Sequence, residues 1–311
     1  MAAPPEAGEV LVRVGAAGLC HSDLSVINGD RPRPVPMVLG HEGAGIVEEV
    51  GEGVDDLVPG DHVIFVFVPS CGHCGPCQSG RPALCEPGAA ANGRGELLSG
   101  GVRLSRGGAR VSHMIGVSSF ATHAVMSRRS LVKIDRETPL TVAALMGCAV
   151  LTGAGAVFNM GAVEPGGRAA VVGLGGVGLA AVLGAAAAGA ETIVAVDTLD
   201  AKLELARELG ATHAFNATDP DVIGKVKECT CGGVDAALEF AGSARALEGA
   251  FAMTRRGGTT ISAGLTNPKA VLTISPLTLV AEERTLRGSY LGSGVPARDI
   301  PRFLGLYLRG K

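Results

Sequence analysis

The chain has 311 residues, 47% of them hydrophobic and 18% charged, with a formal net charge of −3. That length allows two domains with separate cores, and the apolar content excludes a disordered chain. So small a charge, with no long run of one sign, gives no reason to expect a nucleic-acid or membrane-surface partner.

Aromatic residues make up 3%, with no Trp, while Gly reaches 47 residues. A core of Val, Leu, Ile and Ala joined by many permissive turns is expected. The opening residues lack the basic start and apolar stretch of a signal peptide, which points to the cytoplasm. In chain order, short β-rich pieces divided by Gly and Pro come first, at residues 9–14, 45–50, 61–68, 121–125 and 130–134. They predict an irregular β-rich domain over residues 1–150.

A helical stretch at 142–160 then leads into a regular alternation. Strands are expected at 169–172, 193–197, 213–216, 234–240, 259–263 and 286–290. Helices are expected between them at 177–188, 200–209, 220–229 and 244–254. Alternating βα units of this length predict an α/β domain over 151–291, a Rossmann-type doubly wound parallel sheet covered on both faces. Residues 292–311 are expected to begin a return towards the first domain. The uncharged run 169–190 is long enough to span a bilayer. Its glycines and β-branched start favour a buried strand, a turn and a packed helix, since that combination leaves backbone groups unpaired in lipid.

Gly173-Leu174-Gly175-Gly176-Val177-Gly178 falls between such a strand and helix. Gly173 permits a tight turn, Gly175 lets backbone approach a pyrophosphate, and Gly178 lets helix and strand pack closely. The helix N-terminus presents free N–H groups to phosphates. Asp197 ends the next strand, where a carboxylate binds ribose hydroxyls and repels a 2′-phosphate, so NAD is favoured over NADP. Lys202, a helical turn further on, is either a ribose contact or a solvated helix charge.

Cys71, Cys74 and Cys77 are spaced by two residues and followed by Cys85. Four such thiolates close a tetrahedral zinc site with no open position, a structural role. His73 lies inside the cluster as an alternative ligand. Cys20-His21-Ser22-Asp23, His41-Glu42 and Cys148 are dispersed, and spacing alone does not assemble them. Cys229 and Cys231 fit no motif and read as two unpaired thiols near a helix end.

Together, Gly-Leu-Cys20-His-Ser-Asp23, Gly40-His-Glu-Gly-Ala-Gly-Ile-Val, Pro59-Gly-Asp-His-Val63, the four-cysteine lobe, Met146-Gly-Cys148 and the glycine turn carry a resemblance. From Gly8 onwards the chain resembles the zinc-containing alcohol dehydrogenases of the medium-chain dehydrogenase family, with a GroES-like catalytic domain. The resemblance implies two zinc ions per chain and NAD. It makes Cys20, His41 and Cys148 the ligands of a catalytic zinc with an open position. Glu42 is then the carboxylate near the metal, and Asp23 the acceptor orienting His41. It places Ser22 at the substrate hydroxyl and at the start of a proton relay. Thr152 and Val177 fall beside the nicotinamide, and Phe67 and Phe120 in the substrate pocket. The implied reaction is reversible oxidation of a small-molecule alcohol to an aldehyde or ketone with hydride transfer to NAD. A homodimer or homotetramer built through the dinucleotide domain, using the strand at 286–290, is implied as well.

Three departures stand against the family pattern. Ser25 occupies a relay position that is often His. The chain begins after the family's opening strand, and it ends before the family's last strands. The expectation from these ends is lower stability than a longer version shows, to be checked by comparing melting temperatures, or an NAD-binding relative with impaired turnover. Within the family, the stretch 88–116 and Val117-Ser-Ser-Phe120 resemble the glutathione-dependent formaldehyde dehydrogenase branch, so S-(hydroxymethyl)glutathione is an alternative substrate. Arg103 falls near that branch's anion-binding Arg, and otherwise reads as a surface charge. Asp30-Arg-Pro-Arg33 does not reproduce the branch's acidic residues. Zinc-free enone reductases and polyol dehydrogenases on the same fold are disfavoured by the ligand set.

Overall fold

A computed structural model describes residues 2–311 and divides them into two compact units. The first unit runs to Ala149 and includes Val295–Gly305; the second is Val150–Gly294 with Leu306–Lys311.

In the first unit, β1 (Glu9–Gly18), α1 (His21–Ile27), β2 (Met37–Val38), β3 (Glu42–Val50) and β4 (His62–Phe65) come in order. Then follow α2 (Gly75–Gln78), α3 (Glu86–Arg94), β5 (Leu104–Arg106), β6 (Ala109–His113), β7 (His123–Ser127), β8 (Leu131–Ile134) and α4 (Leu140–Leu145). An antiparallel sheet has the order β7-β1-β3-β4-β8, and a small second sheet the order β2-β6-β5. Val10, Val12, Val63, Ile64, Phe65 and Val125 are buried in its core. The short helix α1 and the small sheet were not expected. Helix α1 holds a single pair of turns, too few for its periodicity to stand out. Residues 66–68, expected as strand, leave the ladder after Phe65.

In the second unit, α5 (Leu151–Met160) precedes β9 (Arg168–Val172), α6 (Gly176–Ala188), β10 (Thr192–Asp197), α7 (Asp200–Glu208), β11 (His213–Asn216) and α8 (Val222–Cys229). The chain continues through β12 (Val234–Glu239), α9 (Ala244–Met253), β13 (Thr254–Ser262), α10 (Pro276–Ala281) and β14 (Thr285–Gly288) to α11 (Pro296–Leu308). The six strands pair in parallel in the order β11-β10-β9-β12-β13-β14. Alternate residues feed two cores, one on each face. Ala169, Val171, Ile193 and Ala195 meet α6 residues, whereas Ala170, Val172, Val194 and Val196 meet Val226 and Ala250. Burial on both faces explains why these strands read as unbroken apolar runs.

The uncharged run 169–190 is the strand β9, the glycine turn and α6. The helical run Leu140–Met160 is long and apolar enough to cross a membrane, and most of it is buried inside the fold.

Candidate active site and metal centres

Four side chains from distant parts of the first unit converge. The ligand atoms of Cys20, His41, Glu42 and Cys148 all lie within 4.8 Å of one another. Each reaches the cluster for a local reason. Cys20 is the N-cap of α1, where Asp23 accepts from the Cys20 N–H at 3.3 Å. Asp23 also accepts from the Gly40 N–H at 2.9 Å and faces Nδ1 of His41 at 3.3 Å. One buried carboxylate therefore ties the Cys20 turn to the His41 turn. The other imidazole nitrogen, Nε2, lies 3.5 Å from Sγ of Cys148.

Glu42 opens β3 opposite Gly18 of β1, and a Cβ on Gly18 would stand 2.4 Å from its carboxylate oxygen. Cys148 sits in a π-helical turn, Met146–Val150, between α4 and α5. Such turns insert one extra residue and recur at functional sites. Gly147 makes the turn feasible, since a Cβ there would meet the Phe65 carbonyl oxygen at 1.9 Å.

The donor set fits a divalent cation. Cys20, Cys148 and Glu42 are all anionic when ionised, they are largely buried, and the cluster contains no Lys or Arg. Without a cation, protons must offset that crowding. A hydrogen bond from Cys148 draws the Cys20 thiol down to about 3 against its burial, and His41 assists. The same hydrogen bond to Cys20, with burial and Glu42, raises Cys148 well above the ordinary thiol range. Burial, then the Cys20 thiolate, pushes Glu42 up to about 7. Burial works against charge on His41, yet Asp23 and Cys20 raise it to about 9. Despite burial, His41 and two backbone N–H groups hold Asp23 below its usual range. Two thiolates, one imidazole and a nearby carboxylate suit zinc.

Ser22 is half-buried in the first turn of α1, and its N–H donates to the Cys20 sulfur. Ser25 is buried and donates its hydroxyl to the His21 carbonyl at 3.0 Å, which uses its one proton. Phe67 meets His41 edge-on, with ring centroids 5.4 Å apart. Phe120 is 39% exposed and packs over Gly40.

The four sulfurs of Cys71, Cys74, Cys77 and Cys85 form the second cluster, also within 4.8 Å. Backbone N–H groups of Cys71, Cys74 and Gly88 point at the sulfurs of Cys85, Cys71 and Cys85 respectively. His73 is exposed, turns a ring nitrogen to the Cys71 carbonyl and is not among the gathered ligand atoms.

In the second unit, Gly173 has φ +90° and the glycine turn leads into α6. A Cβ on Gly178 would lie 1.8 Å from the Gly173 carbonyl oxygen, so helix and strand approach backbone to backbone. Gly175 caps the helix, with the exposed Gly176 and the half-buried Val177 in its first turn. Asp197 accepts from the Leu174 N–H at 2.6 Å and from the Leu199 N–H at 3.0 Å, which fixes its carboxylate beside the turn. Lys202 is half-buried on α7, and Thr152 half-buried in the first turn of α5. Cys229 ends α8 and donates to the Val226 carbonyl, while Cys231 is exposed with φ +53°.

Arg103 corrects the sequence reading. It is neither a surface charge nor a free anion site. Its guanidinium is buried and binds both carboxylate oxygens of the fully buried Glu9, with Glu6 as a further partner. A buried carboxylate needs such a partner, and the one guanidinium supplies it. Asn92 was missed altogether; a lone Asn in an Ala/Gly-rich helix carries no sequence signal for its contacts.

Comparison with known proteins agrees with this geometry. Residues 6–136 match the family described as alcohol dehydrogenase GroES-like domain, and residues 176–309 the family described as zinc-binding dehydrogenase. An NDMA-dependent alcohol dehydrogenase of Amycolatopsis methanolica is 43% identical over 98% of this chain and 83% of its own length. An S-(hydroxymethyl)glutathione dehydrogenase of a Synechocystis strain is 40% identical over 99% of this chain and 85% of its own. The crystal structure of benzyl alcohol dehydrogenase from Acinetobacter calcoaceticus superposes with a TM-score of 0.94 at 37% identity, covering all of this chain and 84% of that one. With two family matches covering most of its length and relatives this close, the chain belongs to the zinc-dependent alcohol dehydrogenases of the medium-chain family.

Proposed function

We propose that Cys20, His41 and Cys148, with Glu42 beside them, hold a catalytic zinc, and that the protein reversibly oxidises a primary or secondary alcohol with NAD as hydride acceptor. The observation that carries this reading is the buried, cation-poor gathering of four donor atoms backed by Asp23. Zinc bound there supplies Lewis acidity towards the alcohol oxygen, and NAD supplies the hydride acceptor. Asp23 fixes the imidazole orientation so that Nε2 faces the site. Ser22, beside Cys20, takes the substrate's hydroxyl proton. Ser25 cannot relay it in its present hydrogen bond, since its proton is held by His21, so the exit runs through water or a rotated Ser25.

The glycine turn from Gly173 to Gly178 binds the dinucleotide phosphates, Asp197 with Lys202 binds the ribose, and Thr152 and Val177 contact the nicotinamide. The Cys71–Cys85 lobe holds a second, structural zinc. A zinc thiolate lobe of this kind persists in a reducing compartment, which supports a cytoplasmic location. The thiol-adduct alternative loses its anion site, because Arg103 is held by Glu9.

Elemental analysis together with an NAD-coupled alcohol screen tests the reading. Two zinc ions per chain and alcohol-dependent NADH formation are expected, with Cys20→Ser losing one zinc and all turnover. Full turnover in Cys20→Ser would overturn it. We also propose a homodimer, extendable to a tetramer, through β14, one of the two edge strands of the six-stranded sheet. Light scattering after size exclusion checks this, and a stable monomer argues against it.

A further inference from the structure

Asn92 lies in α3, 6% exposed, and joins three segments of the first unit. Its side-chain Nδ2 donates to the main-chain carbonyl of Phe67 at 2.7 Å. Its own main-chain carbonyl accepts from the Arg33 guanidinium at 3.3 Å. Its Oδ1 is buried without a partner among the described residues, 3.2 Å from where a Cβ on Gly116 would stand. Nature rarely leaves a buried amide oxygen unpaired. The donor end is therefore the useful one here, and what it holds is Phe67.

Phe67 lies beyond the end of β4, outside the strand ladder. Phe67 is 7% exposed, and its ring meets His41 at an interplanar angle of 87°. A wall packed directly on a ligand of the cluster removes volume closest to the reacting carbon. That is where a secondary alcohol carries its additional substituent and a primary alcohol carries only hydrogen.

We infer that Asn92 is a positioning residue that, by holding the Phe67 backbone, keeps the aromatic wall against His41 and selects primary over secondary alcohols. This rests on the alcohol dehydrogenase reading above. It goes beyond that reading in naming a residue that touches neither substrate nor cofactor and yet sets substrate class. The three links are the 2.7 Å hydrogen bond from the Asn92 amide, the edge-on ring contact and the 3.5 Å approach of His41 to Cys148.

The test measures kcat and KM for 1-butanol and 2-butanol in the wild type, Asn92→Leu, Phe67→Ala and the double variant. Leucine keeps the shape of asparagine while removing both the clamp and the unpaired oxygen; it leaves the Phe67 carbonyl without that donor, so circular dichroism first checks that the variant is folded. Wild-type enzyme is expected to prefer 1-butanol. Asn92→Leu should lower the kcat/KM ratio of 1-butanol to 2-butanol about tenfold, a change typical of a methyl-sized pocket difference. Zinc content and NADH affinity should stay as in the wild type. Phe67→Ala should lower the ratio too, and adding Asn92→Leu to it should change nothing further, since contacts acting through one group are not additive. An equal loss on both alcohols, or an effect of Asn92→Leu that persists without the Phe67 ring, overturns the inference. A crystal structure of Asn92→Leu with Phe67 still against His41 overturns it independently of activity. A wild type that oxidises neither alcohol would instead reject the functional reading on which it rests.

Discussion

Asp23 and Arg103 are both buried charges, and what faces each decides its role. Asp23 is shared among His41, Gly40 and Cys20, all belonging to the candidate zinc site. Arg103 is shared among Glu9, Glu6 and the adjoining chain, and its role is to neutralise Glu9. Arg103→Met removes the guanidinium partner of the buried Glu9 carboxylate, and a loss of about 3–5 kcal/mol in urea unfolding is expected. Adding Glu9→Gln should restore much of it, and a single variant as stable as wild type would refute the account. Nearby, His113 is fully buried and its Nε2 accepts from the Arg103 N–H. Burial depresses it to about 4, with Arg103 and Arg110 reinforcing and Glu9 opposing. The unfolded chain then binds a proton below about 6.5 that the folded chain refuses. Stability should be unaffected by this group above that pH and fall between it and about 4, by at most about 3 kcal/mol. His113→Phe should flatten that part of the urea profile; an unchanged slope would exclude His113 as the cause.

Elements were legible in proportion to their regularity. The βα alternation of the second unit shows in the sequence because its central strands β9 and β10 are apolar on both faces and α6 between them is bounded by Gly175 and Gly189. The Cys71–Cys85 lobe was legible for a different reason, since its four ligands are close along the chain. By contrast, Cys20, His41 and Cys148 are brought together only by sheet pairing and by the π-helical turn, neither of which spacing encodes. Family resemblance supplied that grouping. The Arg103 and Asn92 contacts were illegible because their partners, Glu9 and Phe67, lie far away in sequence with no motif linking them. The π-helical turn makes its own prediction. Gly147→Ala must move the turn off the Phe65 carbonyl and with it Cys148. Elemental analysis should then find the first cluster's zinc reduced while the four-cysteine lobe keeps its ion. Two full zinc ions in this variant would mean that the turn accommodates the methyl group.

At the scale of the whole molecule, both clusters of metal-ligating side chains belong to one unit and the glycine turn to the other. Each unit has its own apolar packing, around two antiparallel or mixed sheets in the first and one parallel sheet in the second. Metal affinity contributes to the stability of whichever fold holds the ligands. Calorimetry with a strong chelator should therefore lower the unfolding of the first unit and leave that of the second in place, resolved as two transitions. A single transition that shifts as one would show that the units unfold together.

The backbone-to-backbone approach at Gly178 and Gly147 has a converse. Where glycine fits because nothing larger could, substitution is closed, but many of the 47 glycines in this chain face no such constraint. Gly93 in α3 and Gly249 in α9 have negative φ and empty space where a methyl group would sit. Alanine at either should stiffen the helix by roughly 0.5–1 kcal/mol. The chain's glycine richness thus divides into a fixed set that shapes its sites and a replaceable set. An engineer seeking thermostability should begin with the replaceable one.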